Sequence, residues 1–264
     1  MSGAQLVLHQ FRYTNRAFWR NPAAAFFTFA FPLLFLVIFT VLFGRSTTCV
    51  RFADGRCLER VSTSTFYVAS IAAFSVITAC FTNVAMSVTF ARETGVLKRV
   101  RGTPMPGWTY LAGRVLHAVA VAALLVAITV AFGAAFYGAT VSWRTLPAFA
   151  LTLLVGAASF CALGLALTAA VPNADAAPAV VNAVILPLLF ISDVFVPLRE
   201  DAPRWLAALA AAFPVKHFLE AMLASFFPLP GHPTLRPGDL LVLAAWGIGG
   251  AVLAVRFFSW EPRR

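Results

Sequence analysis

The densest cluster of ionisable side chains in this sequence is the stretch FARETGVLKRVRGTPMPGWTYLAGRV, residues 90–115, with Arg92, Glu93, Lys98, Arg99, Arg101 and Arg114. A catalytic reading finds little here. One carboxylate stands among guanidinium and ammonium groups, with no second acid, no nucleophile–base pair and no metal-ligand spacing. Charge pairing with another surface is the chemistry that such a set supports. A short helix places Val96 or Leu97 with Val100 on one side and charge on the rest, and Gly102, Pro104, Pro106 and Gly107 stop it. A short amphipathic helix between two apolar runs is a docking element for another protein. The alternative, a loop that merely anchors the flanking spans, needs only Lys and Arg; Glu93 and Gly95 exceed that need.

Other chemistry is sparse. The chain holds no G-x-x-x-x-G-K-[ST] phosphate loop, no C-x-x-C, no H-E-x-x-H and no G-x-S-x-G. His9, His117, His217 and His232 are far apart in sequence. Cys49 and Cys57 lie in a loop and form a disulfide if that loop faces an oxidising compartment, or remain two free thiols if it does not. Cys80 and Cys161 lie in apolar runs and read as small packing residues.

The elements that position these residues follow from composition. The chain has 264 residues, 61% hydrophobic and 11% charged, where a soluble domain carries about 25% charged residues. Uncharged runs of about 18 residues or more read as membrane-spanning helices. Such runs lie at 21–44, 61–91, 115–143 and 145–174, and shorter ones at 176–192 and 240–255. The expectation is an all-α integral membrane protein with about six spans and one transmembrane domain over residues 1–264. The net charge of +10 then reflects loops and anionic lipid rather than nucleic acid. The spans hold almost no ionisable groups, which speaks against a proton- or sodium-driven carrier and against an intramembrane enzyme.

Residues 1–20 read as an interfacial helix, because His9, Arg12, Arg16 and Arg20 recur at steps of three and four on one face; a disordered basic leader is the alternative. No cleavable signal is expected, since a long apolar span follows at once. Arg12, Arg16 and Arg20 just before the first span favour cytoplasmic N- and C-termini, although Lys and Arg over the whole chain divide almost evenly between the two sides. That orientation makes 91–107 a cytoplasmic loop and 44–65 an extracytoplasmic one. Residues 197–238 are cut by prolines into RWLAALAAAF and VKHFLEAMLASFF, neither long enough to cross. They read as a re-entrant helical hairpin, with an amphipathic surface loop as the alternative. Ala158, Ala162, Ala166 and Ala170 recur every four residues, a weak sign of close helix packing.

The stretch RETGVLKRVRGTPMP resembles the signature of permeases of the type-2 class of ATP-binding-cassette exporters, which includes daunorubicin-resistance, nodulation-factor and polysaccharide exporters. Glu93, Gly95, Leu97, Lys98, Arg99, Arg101, Thr103 and Pro104 match that signature. A second match runs over NAVILPLLFISDVFVPLREDAPRWLAALAAAFPVKHFLEAML, at Pro187, Ser192, Pro197, Pro203, Trp205 and Pro214. Asp193 stands where the family usually has Gly, and Leu223 where an Arg is common. The resemblance implies six spans, an ATPase-coupling helix built on Arg92 to Pro104, and outer re-entrant helices with Pro197, Pro203, Trp205, Pro214 and Phe218. It also implies a permease dimer served by two separate ATPase subunits, which bind the ATP and magnesium; this chain binds no cofactor itself. The expected function is the membrane subunit of an exporter of an amphipathic drug, lipid or glycan in a bacterial inner membrane. A non-transporting membrane scaffold or assembly factor is the alternative.

Overall fold

The computed structural model describes residues 2–44, 46–53, 56–139, 142–196, 203–227 and 233–261, with backbone alone at 50–53, 56–59 and 204. In order, the elements are α1 (Gly3–Trp19), α2 (Pro22–Phe43), β1 (Thr47–Ala53), β2 (Arg56–Ser62), α3 (Thr63–Ile77), a π-helical turn (Thr78–Thr82), α4 (Asn83–Glu93), α5 (Val96–Arg101), α6 (Gly107–Tyr137), α7 (Leu146–Leu167), α8 (Ala177–Ile191), α9 (Arg204–Ala212), α10 (Pro214–Phe226) and α11 (Pro237–Phe257). The molecule is an all-helical membrane protein whose described strands form one hairpin. The helices α2, α3–α4, α6, α7 and α11 are long and apolar enough to cross a bilayer. Helix α8, at 15 residues, spans about 22 Å at 1.5 Å per residue, short of the roughly 30 Å hydrocarbon core.

The rod α3–π–α4 is the pillar of the bundle. Of its apolar window 72% is buried inside the protein, against 11% for α2 and 17% for α11. Its sequence explains this. Ala69, Ser70, Ala72, Ala73 and Ser75 are small and fully enclosed, so neighbouring backbones approach closely in lipid, where burial of apolar area gives no advantage. Helix α2 packs on the pillar through Phe31, Phe35, Phe39 and Phe43, spaced four apart. The Phe39 ring lies 5.0 Å from that of Tyr67 and 5.7 Å from that of Phe195. The Tyr67 hydroxyl donates to the Phe195 carbonyl at 3.2 Å, tying the end of α8 to the start of α3.

Glycines set the tightest contacts. A Cβ at Gly156 would lie 2.2 Å from the Phe218 ring, and one at Gly164 2.7 Å from the Phe81 carbonyl oxygen. The π-helical turn places the Cys80 and Phe81 carbonyls against α7, and Gly164 leaves room for them. The stripe of Ala158, Ala162, Ala166 and Ala170 is not the packing face: Ala158 and Ala170 are exposed, while Gly156, Ser159 and Gly164 are buried. A methyl group already fills the space that a carbonyl or a ring needs there.

In α1, Leu6, Val7, Gln10, Phe11, Thr14 and Phe18 form a half-buried stripe, with His9, Arg12, Arg16 and Arg20 exposed. The helix starts with a capping box, Gln5 N–H donating to Ser2 Oγ at 3.4 Å and Ser2 N–H to Gln5 Oε1 at 2.9 Å. It lies against the first turns of α6: Trp108 sits over Gly3, and Gln10 over Gly113.

The segment expected as a plain loop at 44–65 is a hairpin, with Cys49 opposite Arg60 and Phe52 opposite Cys57. Cys49 is disulfide-bonded, whereas Cys80 and Cys161 are free and buried. The Cys57 side chain lies outside the described ones, so Cys57 as the partner of Cys49 stands as a proposal.

Two outcomes test these contacts. Gly156→Val should destabilise the protein by about 1–3 kcal/mol through overpacking against Phe218, read as a lower melting temperature in detergent, while Ala158→Val on the exposed side should leave it unchanged. Mass spectrometry under non-reducing conditions should show Cys49 and Cys57 joined in one peptide pair; alkylation of both thiols before reduction would refute the pairing.

Candidate functional site

The charged stretch forms an elbow of two helices. Helix α4 ends at Glu93, and Thr94 closes it by donating from its hydroxyl to the Phe90 carbonyl at 2.8 Å. Gly95 then takes φ 71°, ψ 9°, the left-handed region that glycine enters without a Cβ clash. Its carbonyl accepts from the Arg99 N–H at 3.1 Å, which starts α5 in a new direction. Lys98, Arg99 and Arg101 fill the last turn of α5, the end where cations suit the helix dipole. Thr103 stops it, its hydroxyl donating to the Val100 carbonyl at 2.7 Å, and the prolines at 104 and 106 prevent any continuation.

The structure divides the sequence-predicted coupling residues into two sets. Leu97 is fully buried, and Val100 packs partly buried against the core; together they seat α5 on the bundle. Lys98, Arg99, Arg101, Thr103 and Pro104 are exposed. They form a basic surface, with the half-buried Glu93 at its base. Arg92 does not belong to that surface. It is 2% exposed, and its guanidinium donates from Nη1 to the Thr168 carbonyl at 2.9 Å and from Nη2 to the Val171 carbonyl at 2.7 Å. Its Nε donates to Glu93 Oε1 at 3.2 Å. The acceptors at 168 and 171 lie just past the C-terminus of α7, where carbonyls have no partner within the helix and carry partial negative charge. Arg92 therefore fastens the elbow to the far end of another span. Sequence alone counts Arg92 among the surface cations; only the fold shows that its fork meets carbonyls 76 and 79 residues away.

At the opposite end, α9 and α10 meet at 85°. Pro214 takes the first position of α10 and Phe213, with ψ 152°, is extended, so the break falls where proline cannot continue a helix. The apex lies beside α11: the Trp246 ring stacks on Phe213 at 5.8 Å, and its Nε1–H donates to the Ala212 carbonyl at 3.2 Å. Phe218 is fully buried against Gly156 and Phe160. Further along α10, Phe226 meets Phe149 near the start of α7 at 5.3 Å. Helix α10 thus rises from the level of Phe160 back towards the end it came from. Trp205 is exposed on α9, Pro203 caps that helix, and Pro197 lies outside the described residues.

A charge network that sequence reading missed holds this apex to α11. His217 Nδ1 lies 2.7 Å from Asp239 Oδ1 and Nε2 2.8 Å from the Ala211 carbonyl. Arg236 Nη1 donates to Glu220 Oε2 at 2.7 Å. Arg236 Nε also lies 2.6 Å from Asp239 Oδ2, an ion pair without a hydrogen bond.

Arg92→Gln should destabilise the fold by about 3–5 kcal/mol, because it removes the charge and leaves buried carbonyls unpaired. Arg92→Lys should recover only part of that loss, since an ammonium lacks the planar fork. Thermal unfolding of the purified full chain reads both; equal melting of wild type and Gln variant would mean that the fork carries no weight.

A family model described as ABC-2 type transporter matches residues 5–227. No curated protein matches the chain.

Proposed function

The chain belongs to the ABC-2 type transporter family, and from that premise we propose that it is the membrane-spanning subunit of an ATP-driven exporter of an amphipathic drug, lipid or glycan-type substrate. Its membership makes it a membrane component of an ABC transporter that partners an ATP-binding subunit and is not itself the ATPase. In the proposed assembly two copies of that ATPase bind the ATP and magnesium, and a second permease copy completes the pathway. The membrane is a bacterial inner membrane, with both termini and α5 on the cytoplasmic side.

The observation that carries the mechanism is the elbow at Gly95. It presents Lys98, Arg99 and Arg101 outward on a helix whose other side, through Leu97, is rooted in the bundle. Closure of the ATPases would press on this basic surface. A conformational change follows only from differential affinity for two states, and ATP binding at the partner supplies that difference. Through Arg92 the displacement reaches the end of α7 as well as the pillar α3–α4. The re-entrant reading of α9 and α10 is supported by the return of α10 from Phe160 to Phe149. In that reading the bent pair closes the outer end of the pathway.

Glu93→Ala and Gly95→Pro should leave membrane insertion intact and cut substrate-stimulated ATP hydrolysis in the reconstituted complex by tenfold or more, since proline cannot adopt φ 71°. Export at the wild-type rate by both variants, at matched expression, would remove the coupling role. For the outer end, Pro203→Cys and Thr234→Cys in a cysteine-free background should both react with an impermeant thiol reagent from outside the cell. Labelling of either from the cytoplasm alone would make the bent pair a span.

A further inference from the structure

Between α1, α4 and α6 lies a cleft of about 200 Å³, lined by Thr14, Ala17 and Phe18, by Asn83, Val84 and Ser87, and by Arg114, His117 and Ala118. Nothing in the coupling mechanism uses it. Its volume is several times the roughly 30 Å³ share of one water, enough for a headgroup and too little for a whole lipid. Two of its polar groups, on His117 and Arg114, retain free hydrogen-bonding capacity. His117 is 5% exposed, and its Nδ1 has no hydrogen-bond partner. Arg114 donates from Nε to the Tyr110 hydroxyl at 2.9 Å, with its guanidinium 5.2 Å from that ring's centroid. This contact orients the fork and leaves both terminal amines without a described acceptor. Among the described residues no carboxylate pairs with Arg114 or lines the cleft.

Depth narrows the ligand. Residues 115–137 of α6 carry no charge and cover roughly 34 Å at 1.5 Å per residue, close to the hydrocarbon thickness. Arg114 therefore sits at the boundary between hydrocarbon and headgroups, at the end of the bundle that carries α5, whichever way the chain is oriented. A fork of guanidinium donors with amide and hydroxyl groups beside it matches the oxygens of a phosphate. The walls formed by Ala17, Phe18, Val84 and Ala118 match the glycerol and first acyl carbons behind it. We propose that this cleft is a binding site for the phosphodiester headgroup of an anionic phospholipid, held by Arg114 with Asn83, Ser87 and His117. Such a lipid bridges α1 to α4 and α6, and so fixes the amphipathic helix on the bundle at the level of the elbow.

Native mass spectrometry of the purified full chain in detergent tests this with short-chain phosphatidylglycerol, diacylglycerol of the same chain length, and inorganic phosphate. Phosphatidylglycerol should form a one-to-one adduct that diacylglycerol does not. Arg114→Gln and the double variant Asn83→Ala, Ser87→Ala should each weaken the adduct about tenfold or more, the worth of a lost charge-assisted bond. Arg114→Lys, which keeps the charge, should stay closer to wild type and serves if the Gln variant misfolds. Arg12→Gln, which removes the same charge from the exposed side of α1, should leave the adduct unchanged. Equal binding by wild type, Arg114→Gln and the double variant would overturn the site, as would diacylglycerol binding as tightly as phosphatidylglycerol. Displacement of the lipid by an equal concentration of inorganic phosphate would overturn the lipid as ligand and leave a site for a free anion.

Discussion

A guanidinium cannot leave water unless other groups replace the hydrogen bonds it made there, and the burial of Arg92 is the constraint around which this end of the molecule is arranged. Its fork meets the carbonyls of Thr168 and Val171 and the carboxylate of Glu93. Those carbonyls need a donor as much as Arg92 needs acceptors, because at and just beyond the C-terminus of α7 no following helical N–H reaches them. Each side resolves the other's deficit. The consequence is geometric: the foot of the pillar, the start of the elbow and the end of α7 are fixed to one another, so α5 is seated on a rigid base rather than hung on a loop.

The pillar differs from the other spans in what it is made of. In lipid there is no gain from hiding apolar area, so close approach has to come from small side chains and well-fitted backbones. The small residues of α3 and the glycines facing it supply that fit. The π-helical turn at Thr78–Thr82 marks the level where the pillar changes from α3, enclosed on all sides, to α4, which leads to the elbow. A π turn leaves carbonyls displaced from their usual partners, and α7 accepts them only because Gly164 has no Cβ. Two contacts join this arm to α7, Arg92 below and the Phe81–Gly164 approach above. These contacts describe a packed route; coupling along it needs a two-state element that both ends bias.

Much of this was legible in the sequence. Spans announce themselves because hydrocarbon excludes charge over a fixed length, and the runs at 21–44, 61–91 and 145–174 contain α2, nearly all of α3–α4, and α7. The short helix α5 was legible because Gly102, Gly107 and the prolines at 104 and 106 mark its end; the sharp turn at Gly95 that gives it a new direction was not. What stayed hidden depends on pairing across the chain. The burial of Arg92 requires knowing where the α7 carbonyls end. The preference for Gly156 and Gly164 over the more regular alanine stripe requires knowing that an aromatic ring and a displaced carbonyl face them. The π turn lies in an apolar run whose hydropathy would be the same without it. The hairpin at 47–62 was missed although its sequence carries Asp54-Gly55, a dipeptide that favours two-residue hairpin connections.

The two ends of the molecule are held by interactions of different stiffness. At the elbow the clamp is a buried guanidinium on backbone carbonyls, where loss of one partner strands the others. At the bent pair the ties are side-chain pairs of unequal depth: His217 and Asp239 are 19% and 9% exposed, whereas Arg236 and Glu220 are 36% and 33% exposed. Pairs so open to solvent are typically worth no more than about 1 kcal/mol and weaken with salt. Helices α9 and α10 also have too few turns to stand without tertiary contacts. The apex depends on Phe218 in the space left by Gly156 and on Trp246 stacked over Phe213, contacts that a small rotation of α7 or α11 would alter together. In the proposed reading this asymmetry suits an exporter, because the end that receives force is clamped by a buried guanidinium and the end that must open for cargo is held in part by a solvent-exposed ion pair.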